Sequence, residues 1–283
     1  MASTASSPTA GNIGYEGTAI TSPNTGMSDS TVSASTLPST AIGERLIESA
    51  WYYRLDAFFW NERVNGIDLV NESGPISTLG YMHRSGQERF RLEVFGGTVA
   101  YDGNAMYTDG SMEAYHQSNG TDYFGGRAEY DLLIDPSWWE HFRIIAGIGT
   151  RFWFRDLHDG ITPSGSYVAG YQETWWTFYP YIGLETKTSE PDKFHFFGST
   201  RFGFTPMTYE HADIYDAAFQ TCGVVLHPKC GVTAQAEVGV ACRRFTLSGF
   251  LECMSWSESN EVRGYYQPTS TMFTAGGRFG YSF

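Results

Sequence analysis

The chain has 283 residues, a formal charge of −13, 16% aromatic residues, 32 glycines and only 17% charged residues. The acidic balance argues against a nucleic-acid partner, which needs clustered Lys and Arg to neutralise phosphate. An ordinary soluble domain carries roughly 25% charged residues, whereas abundant glycine and aromatics spread over short segments fit an all-β chain.

Residues 1–46 form a Ser/Thr/Ala/Gly/Pro tract with almost no large apolar side chains. Such a segment buries too little surface to offset its ordering entropy, so a disordered N-terminal segment is expected, with a short helical turn over Ile42–Glu48. After Met1 the run ASTASSPTAGN shows neither a basic nor an apolar region of a secretory signal. No stretch reaches the roughly 20 apolar residues of a membrane helix. A membrane barrel, however, alternates apolar and polar positions and keeps a modest average hydropathy.

From Trp51 onward the chain alternates with period two. Gly231–Arg243 sets Val232, Ala234, Ala236, Val238 and Val240 against Thr233, Gln235, Glu237 and Arg243. Phe142–Arg155 and Phe194–Thr205 read the same way, as strands with two unlike faces require. Ten such segments are predicted, at 51–62, 76–84, 88–101, 123–134, 142–156, 174–187, 193–207, 231–243, 245–257 and 270–283. Ile76–Arg84 alternates poorly, and Pro180 predicts a bulge in the sixth strand because it cannot donate to a ladder. The links between segments alternate long and short, as outer loops and inner turns of a membrane barrel do. Residues 47–283 are therefore expected to form a transmembrane, antiparallel, up-and-down β-barrel of about ten strands, in the range of about eight to twelve.

The last segment places Phe273, Ala275, Gly277, Phe279, Tyr281 and Phe283 on one side. Phe279, Tyr281 and Phe283 in phase resemble the C-terminal signal of bacterial outer-membrane β-barrels, which the barrel-assembly machinery reads. The resemblance implies an outer-membrane location, with lipid and that machinery as partners. It also sets the phase: the opposite face is the lumen. Arg54, Arg91, Arg127, Arg143, Arg151, Arg155, Arg201 and Arg278 then point inward with Asp56, Glu93, Glu129, Asp131, Glu185, Glu237 and Glu252. Eight cations against seven anions predict a paired, nearly neutral network, since unpaired buried charge is costly. A barrel of about this size has an interior that side chains nearly fill, so a wide pore is not expected. Trp51, Tyr53, Phe59, Trp138, Trp139, Trp175 and Trp176 are candidates for interfacial girdles.

Cys222 and Cys230 bracket GVVLHPK in a predicted loop and are candidates for a disulfide, while Cys242 and Cys253 fall on the lipid face too far apart to bridge. The seven histidines form no metal-binding motif, and no cofactor motif is present. Gly96-Gly97, Gly125-Gly126 and Gly276-Gly277 lie within strands, where they serve curvature and close packing.

In strand number the chain also resembles the omptin proteases, which pair an Asp-x-Asp with an Asp-x-His at the outer mouth. The corresponding regions here hold Asp102-Gly-Asn104 and His211-Ala-Asp213, so one Asp is missing and one pair is reversed. Asp102, His211 and Asp213 are thus alternative catalytic candidates for activating a water. The loops are acidic (Asp109, Glu113, Asp122, Asp156, Asp159, Glu210, Asp213, Asp216, Glu258 and Glu261), and Tyr101, Tyr107, Tyr115, Tyr123, Tyr265 and Tyr266 are interspersed. The expected role is a non-enzymatic surface protein, structural, adhesive or ligand-binding, with its external ligand unassigned. A narrow solute channel and an omptin-like peptidase are the alternatives.

Overall fold

Period-two alternation becomes sheet because every apolar side chain can then leave one face together. In the computed structural model, which describes residues 47–106, 112–187, 193–216 and 221–283, the strands are long. They are β1 (Ile47–Val64), β2 (Ile67–Ser85), β3 (Glu88–Met106), β4 (Met112–Ile134) and β5 (Phe142–Leu157). A small loop hairpin follows, β6 (Gly160–Ile161) and β7 (Tyr167–Val168). The chain continues through β8 (Tyr171–Thr186), β9 (His195–Thr205), β10 (Met207–Asp216), β11 (Thr221–Leu226), β12 (Gly231–Cys242), β13 (Phe245–Trp256) and β14 (Thr269–Ser282). Antiparallel pairing runs without a gap from β8 through β5, β4, β3, β2, β1, β14, β13 and β12 to β9, and β9 returns to β8. β10 and β11 extend the β9 and β12 staves, so the closed barrel has ten staves.

The expected tract over residues 1–46 lies outside the described residues. At its end, Ile47 and Glu48 belong to β1 rather than to a helical turn, and Glu48 pairs with Arg84. The long links of the sequence reading are largely strand. Asn65 and Gly66 both have positive φ (51° and 80°) and close β1 onto β2 in two residues. That is a primed hairpin turn, whose twist matches the flanking strands. A bilayer needs about 9–11 residues per strand, and the 23 residues of β4 reach roughly twice that. The sheet therefore continues well past the membrane at one end, the loop end. The opposite, turn end carries the short connections after Ser85, Ile134, Thr186 and Cys242.

Pro180 sits opposite Ile148 with no register shift along β5. The irregularity expected there lies instead in the partner stave at Pro206. From Tyr181↔Gly203 to Phe178↔Met207, three steps on β8 face four on the partner. That extra residue reverses the phase: Arg201 and Thr205 are buried in β9, whereas Thr208, Glu210 and Ala212 are buried in β10. A second break at 227–230 reverses it again between β11 and β12.

The outward face is apolar around the whole barrel. Leu55, Leu79, Val94, Phe124, Ile148, Ile182, Phe202, Val238, Leu251 and Phe279 are all exposed. Such a belt belongs in hydrocarbon, and the closed sheet leaves no unpaired edge within it. Phe279, Tyr281 and Phe283 face outward with it.

Candidate functional site

The lumen is filled in layers. In the membrane-level layer, Arg127 bridges Glu93 at 2.6 Å and Glu252 at 2.8 Å, and Arg54 reaches Asp56 at 2.9 Å and Glu93 at 3.4 Å. Arg151 joins Glu252 at 3.3 Å and Arg278 joins Glu237 at 2.7 Å. Arg91 pairs with Glu129, and Arg201 stands 3.5 Å from both Glu129 and Asp131. The whole set is buried apart from the partly exposed Arg278 and Glu237. Arg89, which the sequence reading left out, bonds Asp131 at 2.7 Å and Glu185 at 2.6 Å.

Tyrosines complete this layer. Tyr52 donates to Glu93 at 2.8 Å, Tyr179 to Glu129 at 2.9 Å and Tyr181 to Asp131 at 2.7 Å. Their rings lie over Gly80, Gly149 and Gly147, the residues directly across the strand pair. A Cβ there would stand within 2.5 Å of ring carbons, so glycine makes the space that aims each hydroxyl.

Above it, Trp60, Trp153, Trp175 and Trp256 meet in one cluster, each at most 2% exposed, with ring centroids 5.3–6.4 Å apart. Trp175 is therefore interior, and the interfacial place assigned to it is corrected. Trp51, Tyr53, Phe59 and Trp138 are exposed outward.

On the tryptophans rests a third layer built on one cation. Arg155 contacts Glu62 at 2.8 Å, Glu72 at 2.9 Å and Glu173 at 2.8 Å, with its guanidinium 5.3 Å from the Trp60 ring. Trp60 donates to Glu62 and Trp175 to Glu173; Thr121 and Tyr123 donate to Glu72. Glu210 is buried in the same region. These four glutamates lie where the sequence reading saw loop or strand ends. Asn65-Gly66 was the signal that β1 and β2 run on, and Glu62 keeps the phase of Phe58 and Trp60. Their inclusion corrects the expected near-neutral balance. Among the described residues these layers hold nine arginines, the predicted eight and Arg89, against eleven acids, the predicted seven and four glutamates. Among the described residues the loop-end layer has one cation, Arg155, for four carboxylates.

Higher still, Tyr101, Tyr115 and Leu157 form a small cluster, and Ala212, Val224 and Leu226 another. Tyr101, Tyr115 and Tyr123 are buried rather than displayed, as is Glu210; Tyr107 and Asp109 lie outside the described residues, as does the Asp216 side chain. Exposed acids at this end include Asp68, Asp122, Asp156, Asp159, Asp213, Glu258 and Glu261. Several are fixed locally. Thr98 and His158 hold the Asp122 carboxyl below its ordinary range, and the Gly170 N–H and Tyr167 do so for Asp159.

The alternative catalytic residues do not converge. Asp102 faces outward and pairs with His116 at 2.6 Å, both well exposed. The phase reversal at Pro206 turns His211 and Asp213 outward too, and β8, β5 and β4 stand between β10 and β3. At that height the inward positions of those strands include Tyr101, Gly103, Glu210 and Ala212, and no described inward position of either strand is a histidine. Among the described residues no group of His, Cys, Asp and Glu is disposed to hold a metal ion. Cys230 is a free, exposed thiol, so the expected bridge to Cys222 is not present at that sulfur; the Cys222 side chain lies outside the described residues. Cys242 and Cys253 are also free.

A closed ten-stave antiparallel barrel with an apolar belt defines a membrane-spanning β-barrel protein. The structure of the outer membrane protease OmpT from Escherichia coli matches with a TM-score of 0.52 at 12% identity, covering 84% of this chain and 96% of that one. The β domain of the Bordetella autotransporter BrkA matches at 0.40 and 14%, covering 82% and 98%. Neisserial surface protein A matches at 0.32 and 8%, covering 81% and 97%. Of these, the first reaches a shared fold, that of outer-membrane β-barrels, and at this identity the likeness is one of fold alone. No protein-family model matches the chain, and no curated protein matches it in sequence.

Proposed function

We propose that the protein is an outer-membrane surface protein whose barrel is a non-conducting support and whose work is done by the structure beyond the membrane. The short-turn end then faces the periplasm and the extended sheet faces outward, as in outer-membrane barrels generally. One observation carries this reading: the lumen is crossed by a continuous ion-pair layer and, above it, by four mutually packed tryptophans. Where Arg54, Arg127 and Glu252 meet in the ion-pair layer, the gap between them is about 20 Å³, room for roughly one water. The extended sheet presents carboxylates and exposed apolar side chains such as Ile67, Ile161 and Tyr167. This suits adhesion or capture of a basic or mixed-character ligand better than solute passage. Phe279, Tyr281 and Phe283 serve as the assembly signal for insertion.

Planar-bilayer recording tests the proposal. The purified barrel is expected to give no resolvable single-channel steps, and steady ohmic steps would overturn it. The peptidase alternative has a separate test: because Asp102 and His211 face outward on distant strands, Asp102→Asn and His211→Ala should leave any peptide cleavage unchanged.

A further inference from the structure

Charge is segregated along the barrel axis, and the acidic loop-end layer has a basic counterpart. At the turn end lies a cavity of about 330 Å³, within the range of small-molecule sites. Arg84, Arg89, Arg91, Arg143, Arg201 and Arg278 line it, with Arg243 at its rim. Three acids share the lining, Glu48, Glu185 and Glu237. Behind them Glu129 and Asp131 take Arg89, Arg91 and Arg201. Asp135, at the rim, is offset by Lys187 at 3.2 Å. Seven arginines less five carboxylates leave an excess of two positive charges.

That excess has an address. Among the described residues no carboxylate lies within 4.0 Å of Arg84 or Arg243; the Nε of Arg84 donates to the Gly86 carbonyl at 3.2 Å. Across the strand pairs Arg84 stands between Glu48 and Arg89, and like charges directly opposite destabilise a sheet. Deeper in the wall, Nε of Arg91 and Arg201 and Nη2 of Arg89 have no hydrogen-bond partner, although all three atoms are buried. A buried charged donor left without an acceptor costs about 1–3 kcal/mol or more. A fold that concentrates arginines in a cavity and leaves donors over is suited to an incoming anion.

The geometry points to a phosphate-monoester site in this vestibule, entered from the turn end and built on Arg84 and Arg243. A phosphomonoester carries about −1.5 to −2 charges at neutral pH, which matches the excess. Its three acceptor oxygens suit the planar fork of guanidinium groups. The group can arrive as free phosphate or a small phosphate ester, or as the headgroup of a monoester lipid.

Calorimetry on the full chain in non-ionic detergent separates these sources. The probes are inorganic phosphate, glycerol 3-phosphate and short-chain phosphatidic acid, with phosphocholine as a zwitterionic control. Saturable binding of one equivalent is expected, weakened at least tenfold by Arg84→Gln and by Arg243→Gln and unchanged by Arg63→Gln at the loop end. Binding of all three phosphate probes assigns a soluble source, and binding of phosphatidic acid alone assigns a lipid. No heat with any probe overturns the site. So does binding that survives both vestibule substitutions, or that Arg63→Gln weakens equally. Gel migration with and without boiling verifies folding of each variant, and Arg243, exposed at a turn, keeps the test available if Arg84→Gln fails to fold.

Discussion

Replacing Arg155 by methionine removes the cation on which the loop-end layer is built. Glu62, Glu72 and Glu173 each lie 2.8–2.9 Å from its guanidinium, and its side chain is 1% exposed. Breaking a buried pair by deleting one partner costs about 3–5 kcal/mol, because the other charge stays buried and uncompensated. Here three carboxylates lose their common partner at once, and a cation–π contact with Trp60 goes too. The top of that range applies, about 5 kcal/mol, which is more than roughly a thousandfold in the folded-to-unfolded ratio. Urea unfolding in non-ionic detergent, followed by tryptophan fluorescence, reports on the site directly, since Trp60 and Trp175 bond to Glu62 and Glu173. The combined variant Arg155→Met, Glu62→Gln, Glu72→Gln, Glu173→Gln, Glu210→Gln leaves no charge unpaired at these positions and is expected to return within about 2 kcal/mol of the parent. An unchanged midpoint for Arg155→Met, or a combined variant no more stable than the single one, would refute the reasoning.

Two adjacent glycines should behave differently. A Cβ on Gly276 would stand 2.1 Å from the Leu55 carbonyl oxygen, whereas one on Gly277 meets nothing closer than 3.9 Å. Gly276→Ala is expected to cost about 1–3 kcal/mol by overpacking and Gly277→Ala far less, both read as shifts in the urea midpoint. Deleting Phe283 should reduce insertion while Ser282→Ala is tolerated, measured as heat-modifiable barrel in isolated membranes; equal amounts would remove the terminal residue from the assembly signal. The Asp159 carboxylate accepts the Gly170 N–H at 2.8 Å and pins the 158–170 connection. Because its folded value is depressed, the pin is intact at neutral pH and is lost as the pH falls below the ordinary aspartate value of about 3.9. Hydrogen-exchange protection factors in 158–170 should fall there, and Asp159→Asn should show the reduced protection already at neutral pH.

The closed barrel, the sidedness of its strands and the lumenal arginines were legible because alternation is local: each residue's face follows from its neighbour's. Arg54, Glu93, Arg127 and Glu252 needed only that phase to be placed inside. Three other features needed the fold. An extra residue at Pro206 reverses the phase, so Glu210 turns inward and His211 outward, which no continuous alternation predicts. Trp60, Trp153, Trp175 and Trp256 come from four strands, and their meeting depends on the stagger with which the sheet closes. The axial division of charge, acidic around Arg155 and basic around Arg84, depends on that same stagger. Period two tells which side of the wall a residue occupies; its height in the lumen is set by register, and register is a property of the closed sheet.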